Sequence, residues 1–353
     1  MSIGAHRLSS VCEEANLGSN VEAMDREPGH DTVTRALWYV APGQAALRDE
    51  MTPVPGPGEV LVQTRYSALS RGTESLVFRG AVPASEHARM RAPFQAGAFP
   101  FPVKYGYAAV GTVTAGPDDL VGRAVFVLHP HQSAFVVPAE AVVALPAGVP
   151  LRRAVLAANM ETALNALWDA AVLPGSRVAV IGAGTVGALV AWLAGHVAGA
   201  QVTAVDVRPE RAAILSALGV GFAVPGNAPA DCDLVFHASA TPEGLATAVA
   251  AAGDEATIVE LSWYGDRAVM AALGGAFHSR RLRLIASQVG GVAPSMRARW
   301  PHRRRLAQAM ALLVDARLDA LLEPDVPFED LPAALPALLG PGGAAMCQVV
   351  AYS

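Results

Sequence analysis

The sequence predicts an α/β protein in which a β-rich lobe precedes a doubly wound parallel sheet. Two observations predict the sheet: apolar strands alternate with helical segments over residues 160–289, and a glycine-rich turn follows the first of these strands. A third predicts the β-rich lobe: over residues 34–158, runs of β-branched and aromatic residues are separated by proline and glycine.

Each lobe contains runs with the length and composition of strands. In the first lobe they cover residues 34–40, 59–69, 107–114, 124–128 and 133–138. In the second they cover residues 178–181, 202–205, 233–237, 257–261 and 283–287, with helices predicted at 209–218 and 242–252. An amphipathic helix carrying Leu306, Met310 and Leu313 follows, and a last strand is predicted over 347–352.

The turn after the first parallel strand has the spacing GxGxxG. Gly182 permits the tight turn, Gly184 lets the backbone approach a pyrophosphate, and Gly187 lets the helix pack closely on the strand. Thr185 and Val186 begin that helix, whose free N–H groups and positive dipole end attract phosphate. The motif predicts that the chain binds NAD or NADP. The alternative is a glycine-rich turn of an α/β core without a ligand.

The second parallel strand ends in Asp206, at the spacing of roughly 20 residues expected of the acid that bonds the adenosine ribose. A carboxylate accepts hydrogen bonds from a free ribose diol and repels a 2′-phosphate, so Asp206 favours NAD. Arg208 follows two residues later and offers a partner for a 2′-phosphate if Asp206 turns away, which leaves NADP open.

Composition excludes several classes of function. A net charge of −5 gives no overall field for nucleic acid or an anionic membrane. Three widely separated cysteines argue against a disulfide framework and against a cysteine-based zinc site, and they suit a reducing cytoplasm. The acidic residues 1–33 carry no apolar signal segment, so we expect a disordered extension there.

This layout resembles the medium-chain dehydrogenase/reductase family. The resemblance rests on the glycine motif, on Pro-Gly-Ser at 174–176 and on Gly-Pro-Gly-Glu-Val-Leu-Val at 56–62. It implies a GroES-like catalytic domain over 34–158, a Rossmann nucleotide-binding domain over 159–289, and a return segment over 290–353 that completes the first domain. It also implies an active site between the two domains and a homodimer formed through the nucleotide domains.

Many members of that family hold a catalytic zinc ion, but this sequence departs from their ligand pattern. Ser70 or Arg71 stands where a cysteine would be, and Tyr107 and Ala108 stand at the positions of a His-Glu pair. Zinc prefers thiolate and imidazole ligands, so we expect no catalytic zinc. The segments Ser-Arg-Gly-Thr-Glu at 70–74 and His-Pro-His-Gln-Ser at 129–133 are similar to a zinc-free branch that includes bacteriochlorophyllide a dehydrogenase.

Without a metal, hydrogen-bond donors must steady charge on the reacting oxygen. Tyr107 is the first candidate, with Lys104 or His131 lowering its pKa or relaying its proton. Thr73 matches a relay hydroxyl of the family, and Ser70 lies at the vacated ligand position. The alternatives are a packed aromatic side chain for Tyr107 and a core histidine for His131.

The resemblance also places further residues at the cofactor, namely Arg71, Thr162, Ser239 and Ser262. Glu161, at the start of a predicted helix, is expected to pair with Arg71 or to cap that helix. A basic cluster over 297–305 admits three interpretations: a solvated helix start, a clamp for an anionic substrate, or a nucleic-acid patch.

These features predict a zinc-independent, NAD(P)-dependent oxidoreductase that acts on an alcohol or carbonyl group of a sizeable organic small molecule. The resemblance suggests a heterocycle bearing a hydroxyalkyl chain. Two alternatives stay open: an NADPH-dependent, zinc-free quinone or enone reductase, and a catalytically silent NAD(H)-binding sensor.

Overall fold

The computed structural model describes residues 33–353 except Pro53 and Pro341. The predicted extension over 1–33 therefore lies outside the described residues, apart from Val33. No helix among the described residues is long and apolar enough to cross a membrane.

The described residues form both strands and helices, and the two alternate along the second half of the chain. The strands are β1 (Val33–Ala41), β2 (Gln44–Met51), β3 (Glu59–Leu69), β4 (Ala96–Gly97), β5 (Val103–Lys104), β6 (Ala109–Ala115), β7 (Ala124–Val127), β8 (Ala134–Pro138), β9 (Val143–Ala144), β10 (Arg177–Ile181), β11 (Gln201–Val205), β12 (Gly221–Ala223), β13 (Cys232–His237), β14 (Ala252–Glu260), β15 (Arg283–Ala286), β16 (Val326–Pro327) and β17 (Gln348–Ala351).

The α-helices are α1 (Arg71–Arg79), α2 (Leu151–Ala154), α3 (Ala157–Ala170), α4 (Thr185–Gly195), α5 (Arg211–Ala217), α6 (Pro242–Ala251), α7 (His302–Leu312) and α8 (Leu331–Leu339). Short helical turns connect them at Ala84–Glu86, Ala139–Ala141, Pro225–Asn227, Leu273–Phe277, Ala316–Leu321 and Phe328–Asp330.

The second region is the predicted parallel sheet. Its six strands run in the order β12-β11-β10-β13-β14-β15, and every pair of neighbours is parallel. The order reverses direction between β10 and β13, so the carboxyl ends of these two strands flank a crevice. Ligands of doubly wound sheets bind in such a crevice.

The first region consists of two sheets whose strand pairs are antiparallel except for β16 and β17, which are parallel. One sheet has the order β2-β1-β5-β4; the other runs β16-β17-β3-β6-β7-β9, with β8 paired to β3. The C-terminal strand β17 pairs antiparallel with β3, Gln348 opposite Leu69, so the tail returns to the first lobe. The fold class is therefore the predicted one, a GroES-like β-rich lobe with a Rossmann sheet.

One apolar core joins the two lobes. Helix α3 packs against α4 and α7, and its Met160 and Ala163 are fully buried in a cluster that also contains Phe126 of the first lobe and Val180 of the parallel sheet. Removing such apolar area from water is the main stabilising contribution. The shared core therefore holds the parallel sheet against the first lobe.

Candidate functional site

The glycine turn has the geometry that its sequence predicts. Gly182 has a φ of 97°, and a Cβ there would lie 2.6 Å from the backbone nitrogen of Ser239. A Cβ on Gly187 would lie 1.9 Å from the carbonyl oxygen of Gly182, so only glycine allows α4 to approach the turn. Gly184 faces open space, with no atom within 4 Å of an added Cβ. The turn therefore combines two tightly packed glycines with one whose backbone is free to meet a ligand.

Helix α4 starts immediately after this turn, with Thr185 and Val186 in its first turn. Gly184 precedes the helix and supplies no side-chain cap. The first N–H groups of a helix have no partner within the helix, and they carry the positive end of its dipole. This end of α4 thus fits the phosphates of a dinucleotide.

Asp206 is buried directly beside the glycine turn. Its carboxylate accepts hydrogen bonds from the backbone N–H of Ala183 at 2.7 Å and of Arg208 at 3.0 Å. It also forms an ion pair with Arg211, the first residue of α5. Sequence reasoning missed Arg211, although its position one helical turn beyond the strand end was the available signal. The acid that favours NAD is therefore partly neutralised by a neighbouring guanidinium.

Three arginines gather near this acid. Arg208 donates to the carbonyl oxygens of Gly342 and Gly343 at 3.1 and 3.2 Å, and Arg71 packs against Gly343. Burial, followed by the charges of Arg208 and Arg211, lowers the pKa of Arg71. Among the described residues, Nε of Arg71 is buried without a hydrogen-bond partner. An orphaned buried donor costs free energy, and a phosphate oxygen would satisfy it.

The residues at the positions where the resemblance implies zinc ligands include a group of neighbouring hydroxyls. The hydroxyl of Tyr107 lies close to the side chains of Ser70 and Thr73, at the start of α1. Burial raises the pKa of Tyr107 to about 12, against the opposing effect of these two hydroxyl groups. The described residues contain no group of three or more His, Cys, Asp or Glu side chains suited to hold a metal ion. The cluster brings together three of the five predicted catalytic residues.

The other two predicted catalytic residues bond other partners, so the structure gives no support to a proton relay from either of them to Tyr107. Lys104 donates to Glu50 at 2.7 Å and to Gln132 at 3.0 Å. His131 is fully buried, with Nε2 on Glu74 at 3.0 Å and Nδ1 on Ser67 at 2.7 Å. Neither side chain bonds Tyr107, whose pKa is raised rather than lowered. His131 is the core histidine of the alternative interpretation, although it bonds side chains rather than backbone.

Glu161 also differs from its expected role. It pairs with Arg305 at 3.0 Å instead of Arg71, and burial raises the pKa of its carboxyl despite that charge. Arg305 is buried and donates to Asn165 and to the carbonyl oxygen of Gly291 as well. This member of the predicted basic cluster therefore stabilises the junction of α3 and α7. Arg304, by contrast, lies over the ring of Trp300 at 3.9 Å.

The carboxyl ends of β13 and β14 hold a second hydrogen-bonded group. His237, the last residue of β13, bonds Glu260 through Nδ1 at 2.7 Å and Ser239 through Nε2 at 2.7 Å. Tyr264 also donates to Glu260 at 3.0 Å, and the hydroxyl of Ser262 accepts from the backbone N–H of Ala240 at 3.0 Å. Ser239 and Ser262 thus lie at the predicted edge of the sheet. No local sequence pattern indicates that His237 and Glu260 meet.

Thr162 is the remaining predicted cofactor residue. Its hydroxyl donates to the carbonyl oxygen of Ala158 one turn earlier in α3, at 3.0 Å. The side chain is half-buried. Its bond within the helix leaves the oxygen able to accept a hydrogen bond from a ligand.

Comparison with solved structures identifies the fold, while no family model matches the sequence. L-idonate 5-dehydrogenase from Escherichia coli superimposes with a TM-score of 0.74 at 16% identity, over 91% of this chain and 99% of that one. A protein described as a zinc-binding dehydrogenase from Sinorhizobium meliloti, bound to NADP, gives 0.72 at 16% over 91% and 99%. A cobalt- and zinc-bound thermostable alcohol dehydrogenase from Pyrobaculum aerophilum gives 0.70 at 24% over 91% and 100%. The described chain has the fold of these dehydrogenases.

Proposed function

We propose that this protein is a medium-chain dehydrogenase/reductase that oxidises or reduces an alcohol or carbonyl group with NAD(P), without a catalytic zinc ion. The observation that carries the proposal is the phosphate-binding geometry. The glycine turn leads directly into the open N-terminus of α4. The unpartnered Nε of Arg71 belongs to a side chain that feels the charges of Arg208 and Arg211, the two arginines that bond Asp206 beside the turn. NAD(P), when bound, would supply or accept the hydride.

The chain's own residues then divide the binding work. The first turn of α4 and Arg71 would hold the pyrophosphate, and Asp206 with Arg208 and Arg211 would surround the adenosine ribose. Thr162 and Ser262 would contact the nicotinamide half, and Ser239 would contact the adenosine side. Because Arg211 offsets the charge of Asp206, we propose that the site favours NAD and still accepts NADP.

Tyr107 is the proposed donor to the reacting oxygen. With a pKa of about 12 it keeps its proton at neutral pH, so it acts as a hydrogen-bond donor rather than as a base. The hydroxyls of Ser70 and Thr73 lie beside its hydroxyl and would help to orient it. This arrangement would steady negative charge on the substrate oxygen, the task of the metal in zinc-dependent dehydrogenases.

The dinucleotide site is tested by titrating the purified protein with NADH and NADPH and following their fluorescence. Arg71→Gln should weaken binding by about 10-fold or more, since a charge-assisted phosphate contact contributes roughly 1.5–3 kcal/mol. Arg79→Gln is the matched control, because Arg79 lies on the same helix but is exposed. Equal affinities for the two variants, or no binding of either coenzyme by the wild type, would reject the site.

The catalytic proposal is tested by screening secondary alcohols and their ketones, with metal analysis of the active protein. Turnover by zinc-free protein and a drop of about 100-fold in kcat for Tyr107→Phe are expected. Stoichiometric zinc that is required for turnover would reject the zinc-free assignment. Reduction of enones alone would indicate the reductase, and tight coenzyme binding without turnover the sensor.

We also propose that the protein forms a homodimer through the outer edge of its parallel sheet. Strand β15 is one of the two edge strands of this sheet, and its Leu284 is 42% exposed. An exposed edge strand offers unpaired N–H and C=O groups to a second copy. Sedimentation equilibrium should give a dimer for the wild type and a monomer for Leu284→Lys; a monomeric wild type would reject the assembly.

A further inference from the structure

The group at the ends of β13 and β14 has the connectivity of an activated serine. Ser239 Oγ lies 2.7 Å from Nε2 of His237, and Nδ1 of the same ring lies 2.7 Å from Glu260 Oε2. A hydroxyl on one ring nitrogen and a carboxylate on the other is the arrangement that converts serine into a nucleophile, and it occurs on unrelated folds.

The hydrogen bonds determine the direction in which protons can move. The carboxylate of Glu260 can only accept, so it orients the proton of His237 onto Nδ1. Nε2 is then free to accept the proton of Ser239. Glu260 is itself held by the backbone N–H of Ser262 at 2.7 Å and by the hydroxyl of Tyr264. Burial raises the pKa of Glu260, but its bonds to His237 and Ser262 outweigh this effect and leave the pKa below its ordinary value.

The serine can be reached from outside, whereas the base cannot. Ser239 is half-buried, while His237 is fully buried. A Cβ on Gly244, in the first turn of α6, would lie 2.0 Å from Ser239 Oγ and 2.8 Å from His237 Nε2. The missing side chain at Gly244 therefore provides the space in which the serine and the imidazole meet.

Positive groups lie next to the serine on the same edge of the sheet. Thr241 caps α6, so the positive end of that helix dipole lies beside Ser239, and the backbone N–H of Thr241 is 3.3 Å from Ser239 Oγ. Arg267 donates to the carbonyl oxygen of Ala240 at 3.1 Å. Both features favour negative charge developing near Ser239.

We propose that Ser239, His237 and Glu260 form a second catalytic centre that hydrolyses small carboxylic esters. Ser239 Oγ forms a bond to the ester carbonyl carbon while its proton moves to His237 Nε2. The carbon–oxygen bond of the ester then breaks, and the alcohol leaves with the proton from His237. Water attacks the acyl-serine with His237 as base, which releases the acid and restores Ser239. No oxidant or reductant is needed.

The inference does not depend on the proposed redox function. Ser239 lies against Gly182 of the glycine turn, so a dinucleotide bound there would cover the serine. NADH should therefore protect Ser239 from reagents if the dinucleotide site is correct. Labelling of Ser239 without protection would count against the dinucleotide site and leave the ester-hydrolysing centre supported.

The experiment uses the full chain, a fluorophosphonate probe and p-nitrophenyl acetate. The probe should modify Ser239, as located by mass spectrometry, and the protein should hydrolyse the ester faster than buffer does. Ser239→Ala should abolish labelling at that peptide, and His237→Gln should slow ester hydrolysis by about 100-fold or more. Ser295→Ala, at an exposed serine outside the group, should change neither readout.

A second variant keeps the test decisive if His237→Gln fails to fold. In Ser239→Cys, the thiol next to His237 should react with iodoacetamide at least about 10-fold faster than the thiol of Ser295→Cys at neutral pH, because a neighbouring base increases the thiolate fraction. Equal alkylation rates, absence of probe at Ser239, or unchanged ester hydrolysis in Ser239→Ala would overturn the proposal.

Discussion

The two lobes each contain a serine–histidine–glutamate triple, and the comparison separates structure from chemistry. In the first lobe, His131 joins Ser67 to Glu74 at 2.7 and 3.0 Å. In the parallel sheet, His237 joins Ser239 to Glu260 at 2.7 Å on each side. The bonding pattern is the same, although the two rings use opposite nitrogens for the carboxylate.

The triples differ in what lies beyond the serine. Ser67 is fully buried and bonds the hydroxyl of Tyr352 at 2.9 Å, so a reactant cannot reach it. We call Ser67, His131 and Glu74 the closed triple, and Ser239, His237 and Glu260 the open triple. Ser239 is half-buried at the edge of the sheet, with the hydroxyl of Thr241 at 3.0 Å. The same three residue types therefore have a structural role in the first lobe, where no reactant can reach the serine. In the parallel sheet, where a reactant can reach the serine, they are candidates for a catalytic role. Burial, rather than identity, decides between the two.

The largest expected effect is a loss of folding stability when Glu74 of the closed triple is replaced. Glu74 is fully buried and accepts from Tyr39 at 2.7 Å, from the backbone N–H of Ser70 at 2.7 Å, and from His131. Glu74→Ala would leave these donors unpaired and should lower the free energy of unfolding by about 3–5 kcal/mol. Urea denaturation measures the change, with the exposed Glu140→Ala as control. A loss below about 1 kcal/mol would mean that the closed triple does not stabilise the fold.

The next largest effect is expected when the space between Ser239 and His237 of the open triple is filled by a substitution at Gly244. Gly244→Ala places a methyl group on the Ser239–His237 bond and should cost about 1–3 kcal/mol of unfolding free energy through overpacking. It should also remove fluorophosphonate labelling of Ser239. Gly72→Ala is the matched control, because a Cβ there meets no atom within 4 Å. Unchanged stability and labelling in Gly244→Ala would show that the two side chains do not meet as described.

The smallest expected effect is a pH-dependent loss of folding stability when Glu260 of the open triple is replaced. Because the pKa of Glu260 is lowered in the folded protein, its ionised form adds stability above the unfolded pKa, and that stability is lost as pH falls through the folded pKa. Glu260→Gln should therefore be less stable than wild type at pH 7 by at most about 1 kcal/mol. The difference should shrink as the pH falls below about 4.3, the pKa of an unfolded glutamate, and disappear only below the lower folded pKa. Denaturation at pH 7 and at acidic pH measures it, and a difference that grows in acid would contradict the sign.

Much of the fold follows from local sequence patterns. The strand predicted over 59–69 is β3 in full, and the predicted parallel strands occur as β10, β11, β13, β14 and β15 within a few residues. These segments combine strong apolar patterning with glycine or proline boundaries. The helix α1 was missed because Gly72 and Thr73 are poor helix formers; tertiary packing of Leu76, Val77 and Phe78 forms it. Strand β2 was missed because its sequence contains no β-branched or aromatic residue; pairing with β1 forms it.

The site could be predicted only where its parts are close in the sequence. The glycine turn and Asp206 form one supersecondary unit, so their spacing was informative. The pairing of Glu161 with Arg305, the arginines around Asp206 and the bond between His237 and Glu260 all depend on which elements become neighbours. The family resemblance predicted that Tyr107, Ser70 and Thr73 belong to one site. It could not predict that Lys104 and His131 bond other partners.

The pairing of β17 with β3 also sets an order for how the chain can reach its native state. All the strands of the parallel sheet are synthesised before β17, so that sheet can form while the polypeptide is still on the ribosome. Until β17 has been synthesised, β3 lacks one of its neighbouring strands. The exposed edge of β3 can pair with other chains during that interval. We expect slow synthesis between residues 290 and 347 to promote aggregation more than slow synthesis within the nucleotide-binding region.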